Sequence, residues 1–311
     1  MNKPRIIVIC GPTASGKTAL SIELAKKING EIVSADSMQI YEDMDIGTAK
    51  PTVDEMSGIK HYLIGSVSPA VRYSVANYKK DATKAIEEII KNGKTPIIVG
   101  GTGLYVDSLV NAIEYDDLEI DLDYRAKLEE IADETGLDKL YNKAVEIDPV
   151  AMEKISQNDK KRIFRVLEIY NSTGKTKTEQ EVESRKNENP YDFIVFAIDM
   201  DREKLYERIN KRVDLMIENG LVDEVKALIN KYSEIPTAIQ GLGYKEVVLY
   251  LKKELTYNEM IEKIKQETRR YAKRQLTWFR RNKQIKWING LDDIQNNLKI
   301  ILEGVKSEKK D

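Results

Sequence analysis

The sequence predicts an α/β fold: a parallel sheet flanked by helices, with an all-helical segment inserted between its strands. Three observations predict it. Arg5-Ile6-Ile7-Val8-Ile9-Cys10 is a short apolar, β-branched run; Gly11–Thr18 follows it, then Thr18–Lys26 with apolar residues at helical spacing. Two more apolar runs, Gly30–Ala35 and Thr95–Val99, end in polar or glycine clusters and are separated by helical patterns, as in a βα-alternating sheet. From about Asn111 the composition turns charged and helical, and strand patterning resumes only at Asp192.

The first element is the most specific. Gly11-Pro12-Thr13-Ala14-Ser15-Gly16-Lys17-Thr18 reads G-x-x-x-x-G-K-[ST] between a strand and a helix, so the sheet is P-loop NTPase-like. Glycines let successive N–H groups converge on phosphate oxygens, and the helix dipole favours the anion. Lys17 is placed to neutralise a terminal phosphate and the Thr18 hydroxyl to hold Mg2+. This loop binds a phosphate chain, and ATP or another nucleotide is one candidate.

Composition bounds the rest. The 311 residues are 41% hydrophobic and 33% charged, which fits a globular chain with a sizeable core. No run of 18 apolar residues spans a membrane, and Met1–Pro4 carries no signal peptide, so no membrane association is expected. The single cysteine, Cys10, excludes an internal disulfide framework and suggests a cytoplasmic address. Ending a strand, it reads as core filling. The single His61 excludes a multi-histidine metal site and reads as structural. The formal net charge of −2 argues against nucleic acid only if charge is evenly spread, and it is not.

In chain order, Asp36-Ser37-Met38-Gln39 lies at the carboxyl end of the second strand, which faces the ligand crevice of an open parallel sheet. Asp36 is thus a metal-associated carboxylate, a general base, or the anchor of an Asx turn. Tyr41–Pro51 has too much turn chemistry to be an element and reads as a loop beside the site. A helix is expected over Val75–Lys91. The strand at Thr95–Val99 ends in Gly100-Gly101-Thr102-Gly103 where nucleotide hydrolases carry an acidic magnesium partner. That makes Thr102 a candidate donor to substrate and counts against an ordinary ATPase.

The insert reads as short helices at Tyr124–Thr135, Leu137–Ile147 and Pro149–Ile155, after an acidic stretch from Glu114 to Glu134. A further helix, capped by Asn158, buries Ile163, Val166, Leu167 and Tyr170 and stops at Gly174. It presents Lys160, Lys161, Arg162 and Arg165 near its start, either to solvent or to a polyanion, against the dipole. Lys175–Asn189 is polar and reads as a mobile hinge or loop. Asp192–Ile198 resumes the sheet. The helix over roughly Asp201–Glu218 carries Arg208 and Arg212 on one face, suited to phosphate or to pairing with its own glutamates. Ile239–Glu246 is a glycine-punctuated turn, and a long helix starts near Tyr257.

Between Thr268 and Leu291 there are eight Lys or Arg residues and no acid. On a helical wheel Arg269, Arg270, Lys273, Arg274, Arg280 and Arg281 fall within about 140° of arc, with Tyr271, Ala272, Leu276, Trp278 and Phe279 opposite. A long basic C-terminal helix of this kind suits a nucleic-acid backbone; membrane-surface binding and a solvated face are its rivals. Lys286–Asn289 reads as a last strand and Val305–Asp311 as a frayed tail.

With these pieces in place, the chain resembles the tRNA dimethylallyltransferases (tRNA isopentenyltransferases). The matching stretches are Gly11–Thr18, Ala35–Tyr41, Met44–Pro51, Val99–Tyr105, Arg162–Glu168, Gly243–Glu246 and Arg274–Arg280, in family order over nearly the whole chain. The resemblance implies transfer of a prenyl group from dimethylallyl diphosphate to N6 of the adenosine 3′ of the anticodon, tRNA position 37. It implies a discontinuous catalytic core (1–112 and 190–311) and a helical insertion domain (113–189) that contacts tRNA, in a monomer. The diphosphate falls to Gly11, Pro12, Thr13, Ala14, Ser15, Gly16, Lys17 and Thr18 with Mg2+ on Thr18 and Asp36, and Arg212 clamps it from the far side. Asp36 takes the proton of the exocyclic amine, and Thr102 contacts the target nucleotide. Ser37, Met38, Gln39, Arg125, Lys161, Arg162, Ile163, Phe164 and Arg165 contact the anticodon loop. So do the turn Gln240, Gly241, Leu242, Gly243, Tyr244 and Lys245, and the basic residues Arg274 and Arg280.

Three rivals predict other behaviour. A P-loop small-molecule kinase would turn over ATP, but the Gly-Gly-Thr-Gly strand end speaks against it. An adenylate prenyltransferase of the cytokinin type would not need the insert and the basic helix. A non-catalytic RNA-binding protein would not need Lys17, Thr18 and Asp36 together.

Overall fold

The computed structural model describes residues 3–113, 121–184 and 188–307. Parts of three expected segments, at 114–120, 185–187 and 308–311, lie outside them. In chain order the elements are β1 (Arg5–Cys10), α1 (Lys17–Ile28), β2 (Gly30–Ser34), α2 (Val53–Met56), β3 (His61–Tyr62), α3 (Val75–Lys91), β4 (Thr95–Gly100) and α4 (Gly103–Val110). Then come α5 (Leu122–Thr135), α6 (Leu137–Ile147), α7 (Pro149–Met152), α8 (Lys160–Thr173) and α9 (Lys177–Ser184). The chain closes with β5 (Asp192–Asp199), α10 (Arg202–Glu218), α11 (Leu221–Lys231), a 3₁₀ turn at Ala238–Gln240, α12 (Tyr244–Leu251), α13 (Tyr257–Phe279), β6 (Lys286–Asn289) and α14 (Ile294–Ser307).

Contacts divide the chain into two units, one of Met1–Leu109 with Pro190–Asp311 and one of Val110–Asn189. In the first, six strands form a parallel sheet in the order β3-β2-β4-β1-β5-β6. Covered on both faces, the central strands are continuous apolar runs, and Ile6 to Cys10 are at most 1% exposed. Because β1 sits between β4 and β5, the chain leaves it first to one side and later to the other. The carboxyl ends of β1, β2 and β4 meet at this switch point, where an open α/β sheet forms its crevice. Helix α3 is anchored by a Ser74/Asn77 capping box and buries Tyr78, Ala82, Ala85, Ile86 and Ile89 on one face.

The second unit is all-helical around Leu128, Leu140, Ala144, Met152, Ile163, Phe164, Val166 and Leu167. Several expectations are corrected here. Asp159, not Asn158, caps α8, its side chain accepting from Arg162 N, and Tyr170 is 43% exposed rather than buried. Lys177–Ser184 is a helix where a loop was expected, tied down where Asp148 accepts from Thr178 N at 2.9 Å and Thr178 Oγ1 at 2.6 Å. In the sheet unit, the two-residue β3 was too short to show as a pattern. The basic helix α13 is not the C-terminal element, since β6 and α14 follow it. Leu298, Ile301 and Val305 of α14 pack on the sheet core at helical spacing, so Val305 is no frayed tail.

Candidate active site

The glycine loop after β1 enters α1 through Gly16, whose φ of 91° is left-handed and costs a side chain dearly. That turn aims the first amides of α1 into the crevice beside Asp36, at the end of β2. Asp36 Oδ1 accepts from Met38 N at 2.9 Å and Gln39 N at 3.3 Å, an Asx turn, while Oδ2 accepts nothing among the described residues. The Asx turn is thus present on one oxygen, and the other oxygen is left available. Arg212, from α10, donates to Thr48 O at 3.1 Å and thereby joins the opposite wall.

These groups line a cavity of about 350 Å3. Thr13, Lys17 and Thr18 form its floor; Asp36 to Gln39, Gly47 to Ala49, Gln240 to Lys245 and Arg274 form its walls. The ammonium of Lys17 donates to Pro12 O at 2.6 Å. Burial, then the nearby Arg212 guanidinium, lower its pKa from 10.5 to about 8, against the opposing pull of Asp36 and Cys10. Burial lowers Arg212 as well, with Asp36 opposing. Two cations and one carboxylate thus sense one another in a partly desolvated space, where anion binding is worth most. Ser15 Oγ in the loop is buried and unpaired, a donor that a bound phosphate oxygen can satisfy.

Among the described residues no three His, Cys, Asp or Glu side chains cluster as a metal site. A hydroxyl from Thr18 and a carboxylate from Asp36 are few, hard oxygen donors. That set fits Mg2+, which keeps waters and substrate phosphates in its shell, and fits zinc or a redox metal poorly.

Several expected site residues fall elsewhere. Thr102 does not line the cavity; its Oγ1 accepts from Ser37 N at 3.0 Å and donates to Ser37 Oγ at 3.3 Å, holding the Asp36 turn in place. Tyr244 lines the cavity by its ring, but it is 1% exposed and its hydroxyl donates to Glu224 at 2.6 Å. The single basic stripe divides because its arc is wider than one wall: Arg280 keeps right-handed helical backbone, its N–H donating to Leu276 O, and shares the face of Lys273, about 120° round the helix from Arg274. Arg274 faces the cavity around Asp36, whereas Arg280 lines a second hollow and pairs with Asp199 at 3.2 Å. Arg269 donates to Asn210, and Arg270 pairs with Glu267.

In the helical unit, Ile163 and Phe164 are 0% and 2% exposed, so their side chains belong to the core. Arg125 is engaged with Glu168 at 2.7 Å, and Lys160 with Glu129. Lys161 is exposed and Arg165 half-exposed, and neither has an acidic partner among the described residues. Cys10 is buried and its thiol pushed up to about 12 by burial, consistent with core filling. His61 Nδ1 lies 2.8 Å from Ile59 O, and burial lowers its pKa.

Sequence reasoning missed Gln275 and Tyr271. Gln275 is 5% exposed; its Oε1 accepts from Thr13 N at 2.9 Å and its Nε2 donates to Gly101 O at 2.9 Å, stitching the glycine loop to the end of β4. The available signal was a lone amide in a row of apolar residues, Ala272, Leu276 and Phe279. Tyr271, read as packing, lines the cavity.

Known proteins share this architecture. The family model described as IPP transferase matches residues 39–282. A tRNA dimethylallyltransferase of Acetivibrio thermocellus is 54% identical, with 95% of each chain covered. One of Carboxydothermus hydrogenoformans is 48% identical over 98% of this chain and 97% of its own. Among solved structures, a full-length tRNA isopentenylpyrophosphate transferase of Bacillus halodurans superposes with a TM-score of 0.74 at 40% identity, with 99% of each chain covered. A eukaryotic dimethylallyltransferase described as acting on tRNA gives 0.76 at 33% identity, covering 93% of this chain and 74% of its own.

Proposed function

This chain belongs to the IPP transferase family, and from that premise we infer that it is a prenyl-transferring enzyme whose acceptor is tRNA. It moves the dimethylallyl group of dimethylallyl diphosphate onto N6 of the adenosine 3′ of the anticodon, position 37, and releases diphosphate. The observation that supports this most directly is the convergence of Lys17, Arg212 and Asp36 on one cavity at the end of a phosphate loop.

The division of labour follows from the chemistry. The exocyclic amine of adenine is a poor nucleophile, so positioning, proton removal and stabilisation of the leaving group must share the barrier. The glycine-loop amides, Lys17 and Arg212 take up charge on the departing diphosphate as the C–O bond breaks. Asp36 Oδ2 receives the N6 proton as the N–C bond forms. Thr18 and Asp36 would hold Mg2+, which supplies further neutralisation of the diphosphate when bound. A stacked loop base cannot reach this depth, so the adenosine flips into the cavity. Ser37 to Gln39, Gln240 to Lys245, Arg274, and in the helical unit Lys161, Arg162 and Arg165, contact the anticodon arm. One chain supplies every group named, so a monomer suffices. Among the described residues no helix is long and apolar enough to cross a membrane.

The test is transfer from labelled dimethylallyl diphosphate with Mg2+ to three acceptors side by side. These are an anticodon stem-loop with adenosine 3′ of the anticodon, the same loop with guanosine there, and AMP. Label on the adenosine loop alone is the expected result. Label on AMP assigns the chain to free-nucleotide prenylation, and ATP consumption without label assigns it to the kinases.

A further inference from the structure

Glu224, on α11, is absent from every motif above, yet its carboxylate accepts four hydrogen bonds. Its Oε2 accepts from Asp45 N at 2.8 Å and Ile46 N at 2.7 Å. Its Oε1 accepts from Gly47 N at 3.0 Å and from the Tyr244 hydroxyl at 2.6 Å. Three consecutive amides of the loop after β2 and the phenol of Tyr244, the first residue of α12, thus converge on one half-buried anion. Charge-assisted bonds of this kind are about twice as strong as neutral ones.

What these four donors belong to gives the contact its meaning. The loop supplies Gly47, Thr48 and Ala49 to the cavity, and the turn with the start of α12 supplies Gln240 to Lys245. The two segments are seated face to face: a Cβ on Gly47 would lie 2.5 Å from the Tyr244 ring. The same loop carries the carbonyl of Thr48, which receives Arg212 Nη2 at 3.1 Å and Gln39 Nε2 at 3.2 Å. The chain of contact runs from Glu224 to the loop amides, from the loop to Arg212, and from Arg212 to the diphosphate space. We propose that Glu224 is a positioning residue for prenyl transfer: it fixes the spacing of two walls of the cavity and, through Thr48 O, the place of Arg212. It touches no substrate. This inference rests on the prenyl-transfer reading above.

Glu224→Gln keeps the shape but turns one acceptor into a donor that faces N–H groups: either the bonds from Asp45 N and Ile46 N fail, or that from Gly47 N fails while the Tyr244 hydroxyl turns to accept, and the charge is lost in both cases. Misplacement of a catalytic cation by a fraction of an ångström is expensive. We expect kcat to fall ~30-fold with tRNA affinity within ~3-fold of the unaltered protein. Tyr244→Phe removes a single bond and should lower kcat ~3-fold. Because that phenol acts on Glu224, the double variant should be no worse than Glu224→Gln alone, a non-additivity that general loss of stability does not produce. Glu224→Asp, which keeps the charge on a shorter arm, should recover part of kcat. All rates are measured at a temperature at which thermal melting shows each variant fully folded. Unaltered kcat in Glu224→Gln, strictly additive effects in the double variant, or a kcat loss that only tracks the melting temperature overturns the proposal. If the unaltered protein transfers no label to the adenosine stem-loop, the prenyl-transfer reading fails instead, and the two failures are distinguishable.

Discussion

The cavity of about 350 Å3 around Asp36 and the hollow of about 680 Å3 beyond the same helix share α13 as a wall, yet they are made of different material. The first draws its charges from half-buried groups that face one another, Lys17, Arg212 and Asp36, on a floor of loop amides. The second is bounded by Arg202, Lys273 and Arg280 with Tyr206 and Trp287. Its ion pair, Arg280 with Asp199, has side chains 59% and 41% exposed. Water and salt screen such a pair, whereas desolvation sharpens charges in the smaller space. Volume therefore does not single out the candidate site; convergence of incompletely solvated charges does.

The sharpest way to break this contrast is Asp36→Ala. Loss of the proton acceptor should cut prenyl transfer ~1000-fold while a filter-binding assay finds tRNA affinity within about a factor of two. A variant with ordinary turnover would remove Asp36 from the chemistry. Arg212→Met comes next: its cation acts on charge that develops on diphosphate, so kcat should fall ~100-fold. A change confined to tRNA affinity would instead move Arg212 into the RNA surface.

Titration gives an intermediate effect. Lys17 is depressed to about 8 in the free protein, so above that pH it is neutral before ligand arrives. A diphosphate binds the protonated form better, and binding must then take up a proton. Affinity for dimethylallyl diphosphate should therefore be flat below pH 8 and fall as pH rises beyond it, by at most about tenfold per unit. Calorimetry in two buffers of different ionisation enthalpy would register the proton uptake, and its absence would contradict the pairing of Lys17 with the anion. The smallest effect is expected from the solvated hollow. Arg280→Glu should weaken tRNA binding ~3-fold at low salt and lower the salt slope by about one, with the difference vanishing at high salt. Arg274→Glu, inside the catalytic cavity, should also lower kcat. Identical behaviour of the two would restore a single basic stripe and erase the distinction between the two spaces.

Much of the catalytic half was legible because its signals are local. The glycine loop, the Asp36 turn and the strand end at Gly100 are each coded by a few neighbouring residues whose backbone geometry decides the outcome. Helix α3 was legible for a similar reason, its 3.6-residue apolar period and Ser74 cap lying within one segment. Less legible was the basic helix. On the wheel Arg280 lies beside Lys273 and about 120° from Arg274; an arc that wide reads as one stripe, but packing sets its two edges against different neighbours, and Arg280 meets Asp199. Ile163 and Phe164 illustrate the converse, since a motif places them next to Arg162 and Arg165 while the helical period turns them inward.

The sequence by itself determined that a phosphate-loop motif follows β1, that a carboxylate waits at the end of β2, and that a helical insert interrupts a parallel sheet. Only the tertiary structure decided which distant residues hold those pieces in register. Gln275 meets Thr13 across 262 positions, and Glu224 meets the amides of Asp45, Ile46 and Gly47 across 177 to 179. The physical reason is the reach of each interaction. Backbone turns and helical faces are set by torsions and neighbours within a few residues, whereas a glutamate or glutamine gains its partners only when packing brings remote backbone within 3 Å.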